Sequence, residues 1–337
     1  MPGAVYTVMV RLLFTGLCLF WPGVNCALAS ENFLQPFAVR NHNPFIGIYG
    51  IPAMQAPVTV APGRSSIQLL FDVVSHFTDA ETESEFIAID GETYRLALRY
   101  TRGLEKQWEI GTEVPIVSHS GGVLDGVINH WHDVFQLPTL GRDNVEDDQI
   151  RFQYVADDEV LADVQSSTTG VGDVLLFAGK TLRRHDDYSV TLRGQIKLPT
   201  GDPGRLQGSG GTDISLWGAA ARKWGKGWSA SARLGAAYLG TGNVLPGLQR
   251  HWAGFGSAFI GWQAFRPFSF KSQLDVQTPL YENSDIHQLT DTAVQLTFGA
   301  TTRISKRTFL DFSVTEDEFN PDVSSDVAFQ IRLRTEH

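Results

Sequence analysis

Cysteine is almost missing from this chain: the only two, Cys18 and Cys26, stand near its start. The rest can form neither a disulfide framework nor a thiolate metal site. Long apolar runs are missing too. Beyond the N-terminal region no 18 consecutive apolar residues occur, so no transmembrane helix is expected. Charge is modest and of the wrong sign for a general nucleic-acid partner: 19% of residues are charged and the net charge is −10. Glycine and aromatic residues are abundant instead. That composition suits a β-barrel or a secreted β-sandwich, and periodicity must separate the two.

Residues 1–29 read as a secretory signal peptide. Arg11 precedes the apolar run Leu12 to Trp21, and Ala27-Leu28-Ala29 precedes Ser30. The run is too short to span a bilayer. Cleavage is expected after Ala29. Lipidation at Cys26 is the alternative, and Asn25 is a poor small-residue site for it. Without Arg11 the chain keeps 26 basic and 37 acidic residues, a net charge of −11.

The C-terminal half has a beat of about 40 residues, the span of two strands, a short turn and a longer loop. Alternating runs begin near Tyr188, Trp228, Phe268 and Thr308. In Tyr188–Leu198, Tyr188, Val190, Leu192, Ile196 and Leu198 share one parity, and Ser189, Thr191, Arg193, Gln195 and Lys197 the other. On a strand these parities face opposite sides. Aromatics gather at strand ends, among them Tyr94, Tyr100, Trp108, Tyr188, Trp228 and Trp262, as in the two girdles of a membrane barrel. Short connections (101–106, 156–159, 183–187, 223–227, 265–267, 303–307) alternate with long ones (118–147, 200–211, 240–250, 279–289, 317–325). The expectation is an all-β, antiparallel transmembrane β-barrel of about 14 strands. The count falls to twelve if 160–165 only extends a hairpin outside the membrane. Residues 334–337 are expected to overhang into the periplasm.

By parity, Arg95, Arg99, Glu109, Glu113, Arg151, Arg193, Lys197, Arg233, Lys271, Asp275, Asp311, Arg332 and Arg334 line the lumen. Such a wall suits either a selective pore or a solid interior of paired ions. Residues 30–63 form a separate segment before the barrel at 64–337. Prolines at 36, 44, 52, 57 and 62 exclude a helix or central strand there. Phe33, Phe37, Phe45, Ile46 and Tyr49 nevertheless need something to pack on. The segment is either a periplasmic tail or a plug in the lumen, with Arg40, Asn43 and Phe45 meeting the wall. Loop 118–147 is the longest and the candidate for specificity or gating. It holds His119, Asp125, Trp131 and His132. Its histidines and carboxylates match no closed zinc pattern, so neither a metal nor any other cofactor is expected. A hydrolase pairing of His119 with a nearby serine lacks any distinctive spacing.

Several stretches carry a resemblance. Arg40-Asn41-His42-Asn43-Pro44-Phe45, Trp108 to Pro115, and His119-Ser120-Gly121-Gly122-Val123-Leu124-Asp125-Gly126 resemble a proteobacterial envelope family catalogued only as a domain of unknown function. Leu198-Pro199-Thr200-Gly201-Asp202 is similar to a stretch in barrels encoded beside aromatic-degradation pathways. The resemblance implies the outer membrane of a Gram-negative cell and brings no assigned activity. Long-chain fatty-acid transporters, barrels with an N-terminal hatch, are an analogy of architecture only. The expected function is a gated channel or uptake protein for a small or hydrophobic solute. The alternatives are a non-conducting envelope barrel that binds a partner and an outer-membrane lipid hydrolase; no catalytic residue stands out. Expected partners are outer-membrane lipid and lipopolysaccharide, the barrel assembly machinery and a small solute, with no nucleic acid.

Overall fold

The computed structural model describes residues 34–122, 149–265, 267–317, 323–325 and 327–337. Residues whose inward and outward parities differ in polarity become strands, and the strands close on themselves. In chain order they are β1 (Ser65–Glu81), β2 (Glu85–Leu104), β3 (Trp108–Ser120), β4 (Arg151–Ala156), β5 (Glu159–Val164), β6 (Thr168–Val171), β7 (Val174–Arg184) and β8 (Tyr188–Leu198). There follow β9 (Asp213–Trp224), β10 (Trp228–Leu239), β11 (Trp252–Phe265), β12 (Phe268–Gln277), β13 (Ala293–Arg303), β14 (Thr308–Glu316) and β15 (Val327–Glu336).

The wall is a closed antiparallel barrel of twelve strands, with β1 pairing to β2 on one side and to β15 on the other. Twelve, the lower of the two expected counts, holds because β4 and β5 stay outside the wall. β2 pairs with β3 from Glu92 to Leu104, and its outer end turns instead to β4 from Glu85 to Asp90. Gly91, at φ +133, makes that switch; a Cβ there would meet the Ser120 carbonyl at 2.9 Å. β6 and β7 act as one wall strand broken by a bulge at Gly172–Asp173, since Glu113 faces Leu175 while Ile116 faces Val171.

The C-terminal residues do not overhang. Glu336 pairs with Ser66, and His337 and Ser65 exchange two backbone hydrogen bonds. They stay in the ladder because they complete the seam, where an open edge would leave unpaired N–H and C=O groups.

Polarity follows the pleat. Leu69, Leu98, Ile110, Ile116, Leu192, Leu216, Ile260, Phe312 and Ile331 point outward and are exposed, while the alternate residues are buried and largely polar. A continuous apolar belt around a closed wall is a lipid-facing surface. At the short-turn end Trp224, Trp228 and Trp262 stack at centroid distances of 6.5 and 5.6 Å, and Lys180 Nζ lies 5.1 Å from the Trp108 ring. Leu234 stands midway along β10 and is 76% exposed. Leu234→Arg is therefore expected to cost about 2–4 kcal/mol in vesicles, read as a lower urea midpoint; an unchanged midpoint would move this residue out of hydrocarbon.

Candidate functional site

The lumen is occupied by the chain's own N-terminal segment. Its prolines withhold N–H groups and bar it from any ladder, so its carbonyls look for donors elsewhere. The inward side chains of the wall supply them. Lys271 Nζ donates to the Gln35 carbonyl at 3.0 Å and Arg332 Nη2 to that of Pro36 at 2.8 Å. Gln330 Nε2 donates to Ala38 at 3.1 Å, and Arg233 Nη1 to Pro52 at 2.7 Å. Arg193 Nη2 reaches the Val58 carbonyl at 3.2 Å. In return, the N–H groups of Phe37, Gly50 and Val60 donate to Gln273, Asp213 and Glu109 at 2.9, 2.7 and 2.9 Å. These partners come from strands all around the wall, so the segment lies inside it.

Its path is a hairpin without a ladder. From Leu34 it rises past Lys271 and Arg332, turns at residues 43–49, and descends past Gly50 and Pro57 to enter β1. Asn43 shapes the turn: its side-chain oxygen accepts from Phe45 N at 3.0 Å, and its carbonyl accepts from Ile46 N and Gly47 N. Gly50 passes so close to the wall that a Cβ would lie 2.9 Å from the Asp213 Cβ.

The upper and lower lumen differ in chemistry. Around the turn Phe45, Ile46, Ile48 and Tyr49 pack on Trp217, Leu239, Phe255, Leu280, Tyr281 and Leu289. Each large apolar side chain buried this way contributes roughly 1.5–3 kcal/mol. Tyr281 also donates to the Phe45 carbonyl at 2.7 Å.

Below lie clusters of buried charge. Glu113 meets Arg40 of the segment at 3.1 Å, Arg99 at 2.5 Å, and Arg95. Asp311 gathers Lys271, Arg332 and Arg334 at 2.7, 2.8 and 3.0 Å. A third cluster stands higher, at the level of the turn, where Lys197 contacts Asp173 at 2.5 Å and Asp213 at 3.4 Å. Two cavities flank the segment. One of about 60 Å³ lies between its turn and β3, β7 and β8. The other, of about 490 Å³, lies at the end of the barrel where the chain enters and leaves.

Of the residues read as lumen-lining, Arg95, Arg99, Glu109, Glu113, Arg193, Lys197, Arg233, Lys271, Asp275 and Arg332 are buried inside the wall. Arg151 is not. It stands exposed on β4, its guanidinium 4.9 Å from the Phe86 ring, because β4 belongs to the outer hairpin. Arg40, Asn43 and Phe45 lie within the lumen. His119 is not a loop residue: it is the next-to-last residue of β3, points inward, hydrogen-bonds Thr93 at 2.9 Å, and its ring packs edge-on against Phe152. Asp125, Trp131 and His132 lie outside the described residues. Asp72, Gln273 and Gln330 hold the segment or its partners, Asp173 holds Lys197 and the Gly201 and Ser209 N–H groups, and none of the four is among the sequence candidates. Asp72 was hidden because Leu70 and Val74 share its parity; Leu70 packs inward with Ala38 and Ala53.

His42 is expected to make the seating of the segment sensitive to acid. It is buried 3.9 Å from Asp72. Burial pulls its pKa down to about 4, Asp72 opposes this, and Arg95 and Arg40 lower it further. Because the seated pKa lies below the ordinary 6.5, protons favour the released state. Seating is then strongest above about pH 6.5 and weakens towards pH 4 by up to roughly 3 kcal/mol. Hydrogen exchange at residues 40–50 is expected to speed up over that window, and His42→Asn to flatten the response. A wild-type rate independent of pH would remove His42 from this role.

A family model described as "Protein of unknown function (DUF3187)" matches residues 19–336. No curated protein matches the sequence. Among solved structures, the COG4313 outer membrane channel from Pseudomonas putida F1 is similar with a TM-score of 0.57 and 13% identity, over 83% of this chain and 97% of that one. The NanC porin aligns at a TM-score of 0.44 and 9% identity, over 80% of this chain and 97% of its own. The CymD monoaromatic hydrocarbon channel aligns at 0.37 and 10%, over 82% and 88%. At these identities the likeness is one of fold, and of these three the first is near enough to carry it. The architecture is that of a closed antiparallel β-barrel of the outer-membrane type.

Proposed function

We propose, for a chain that belongs to the DUF3187 family of proteins of unknown function, a stoppered conduit that admits a small solute across the outer membrane. One observation carries this reading. The lumen is filled by a ladder-free segment held through side-chain bonds to the wall, so it can leave without opening a single strand pair. A wall meant only as scaffold has no use for a removable core. Residues 34–60 are then the plug. The apolar cluster at its turn is the seal on the outer side, and an apolar portion of the solute would replace those contacts as it passes. The address calls for lipid and lipopolysaccharide around the apolar belt and for the barrel assembly machinery during insertion. Single-channel recording in planar bilayers tests the reading: brief openings are expected from the full chain and sustained ones once residues 31–60 are removed. Silence from both proteins would refute it.

A further inference from the structure

We infer that the inner end of the lumen is a binding site for a small soluble oxyanion, a carboxylate or phosphate borne by the solute. The inference rests on the conduit reading and names the charge class of what passes. The cavity there, of about 490 Å³, is within the size range of small-molecule sites. Seven of its lining residues are Arg or Lys and two are Glu. The whole chain has a net charge of −10, so this lining runs against composition.

Six of the seven cations fall into two groups; the seventh is Arg184. Arg99, Arg193 and Arg332 lie deep and are held in place by Glu113, Glu109 and Asp311. Arg64, Lys306 and Arg307 are exposed at the rim and make no salt bridge among the described residues. Glu109 is engaged with Arg193 and the plug and makes no contact with the rim cations among the described residues. One of its oxygens takes Arg193 at 2.8 Å and the other takes the Val60 N–H at 2.9 Å. Guanidinium forks suit carboxylate and phosphate geometry, and Ser66, Gln68 and Thr101 add neutral donors. The low-dielectric wall concentrates the field of these charges within the cavity. The opposite end of the barrel carries Asp79 and Glu81 at the end of β1, Glu83 in the turn and Glu85 at the start of β2. An anion past the outer mouth therefore moves to lower energy towards the inner end. Apart from the rim cations, the lining comes from inward side chains and the plug itself, so a lipid headgroup could reach the deep arginines only by dragging acyl chains into the lumen.

Isothermal titration of the detergent-solubilised full chain tests the site, with citrate and inorganic phosphate as probes and choline as the cationic control. Saturable binding of at least one anion and none of choline is expected. Arg64→Gln/Lys306→Gln/Arg307→Gln should weaken that binding at least tenfold and leave the unfolding temperature unchanged, since all three side chains are exposed. No saturable anion binding by wild type, or equal affinity in the triple variant, would overturn the site. In nanodiscs, competition of phosphatidylglycerol with the anion would overturn the soluble source in favour of a headgroup. Anion binding without current from the plug-deleted chain would sink the conduit and leave the site; current without anion binding would do the reverse.

Discussion

Removal of residues 31–60 should raise single-channel conductance about tenfold, because a barrel of this size is wide enough to hold water once its core is gone. Eight-stranded barrels are filled by their own side chains and sixteen-stranded ones leave an open channel; twelve strands fall between. Here the axis is taken up by Leu34 to Ala53, nearly all of it buried. Among the described residues the segment makes no ladder bond to the wall, so its loss leaves every strand pair intact, from β1–β2 round to β1–β15. Wall donors such as Lys271, Arg233 and Arg332 would exchange plug carbonyls for water, at small net cost per bond. The deleted protein should still migrate as a folded, heat-modifiable barrel on a gel. Conductance equal to that of the full chain, in protein shown to be folded, would mean that the segment does not block the bore.

Asp311→Asn should lower stability by about 3–5 kcal/mol, the penalty for breaking a buried charge pair. Asp311 is the shared counter-ion of Lys271, Arg332 and Arg334, all buried, and it also takes the Thr301 hydroxyl. Asparagine keeps the shape and removes the charge, leaving three cations facing one another. Two of them, Lys271 and Arg332, also hold the Gln35 and Pro36 carbonyls. The variant should therefore unfold earlier in urea and release the start of the plug, seen as flickering current. Asp311→Asn/Lys271→Met should recover part of the loss, because one uncompensated cation goes with it. The exposed pair Arg205–Asp202, at 3.4 Å, is the contrast: its loss should cost about 0–1 kcal/mol. If Asp311→Asn costs no more than that, lumen water already screens the cluster and it anchors nothing.

Strand identity and facing were legible along the chain because both are local. Tyr188–Leu198 was read with the bounds the structure shows for β8, since alternation of side chains needs only extended backbone. The same alternation placed Glu113, Lys271 and Arg332 inside the wall. Where the pattern misled, the fault lay in assigning strands to the wall. Arg151 has the alternation of a wall residue, yet β4 pairs with the outer end of β2 beyond Gly91. His119 looked like the start of a loop, yet β3 runs on to Ser120 because β2 and β6 are there to pair with it.

The sequence alone determined that these residues form amphipathic strands with an apolar lipid face, a charged lumen and aromatic ends, because period two is enforced residue by residue. Only the tertiary structure decided that twelve strands close the ring and that residues after Arg332 complete the seam. It alone decided the path of residues 34–60. A proline-rich segment that forms no ladder has no period to read, and its position is set by bonds such as Phe37 to Gln273, 236 residues apart. Those contacts exist only once the wall has brought every inward side chain around one axis.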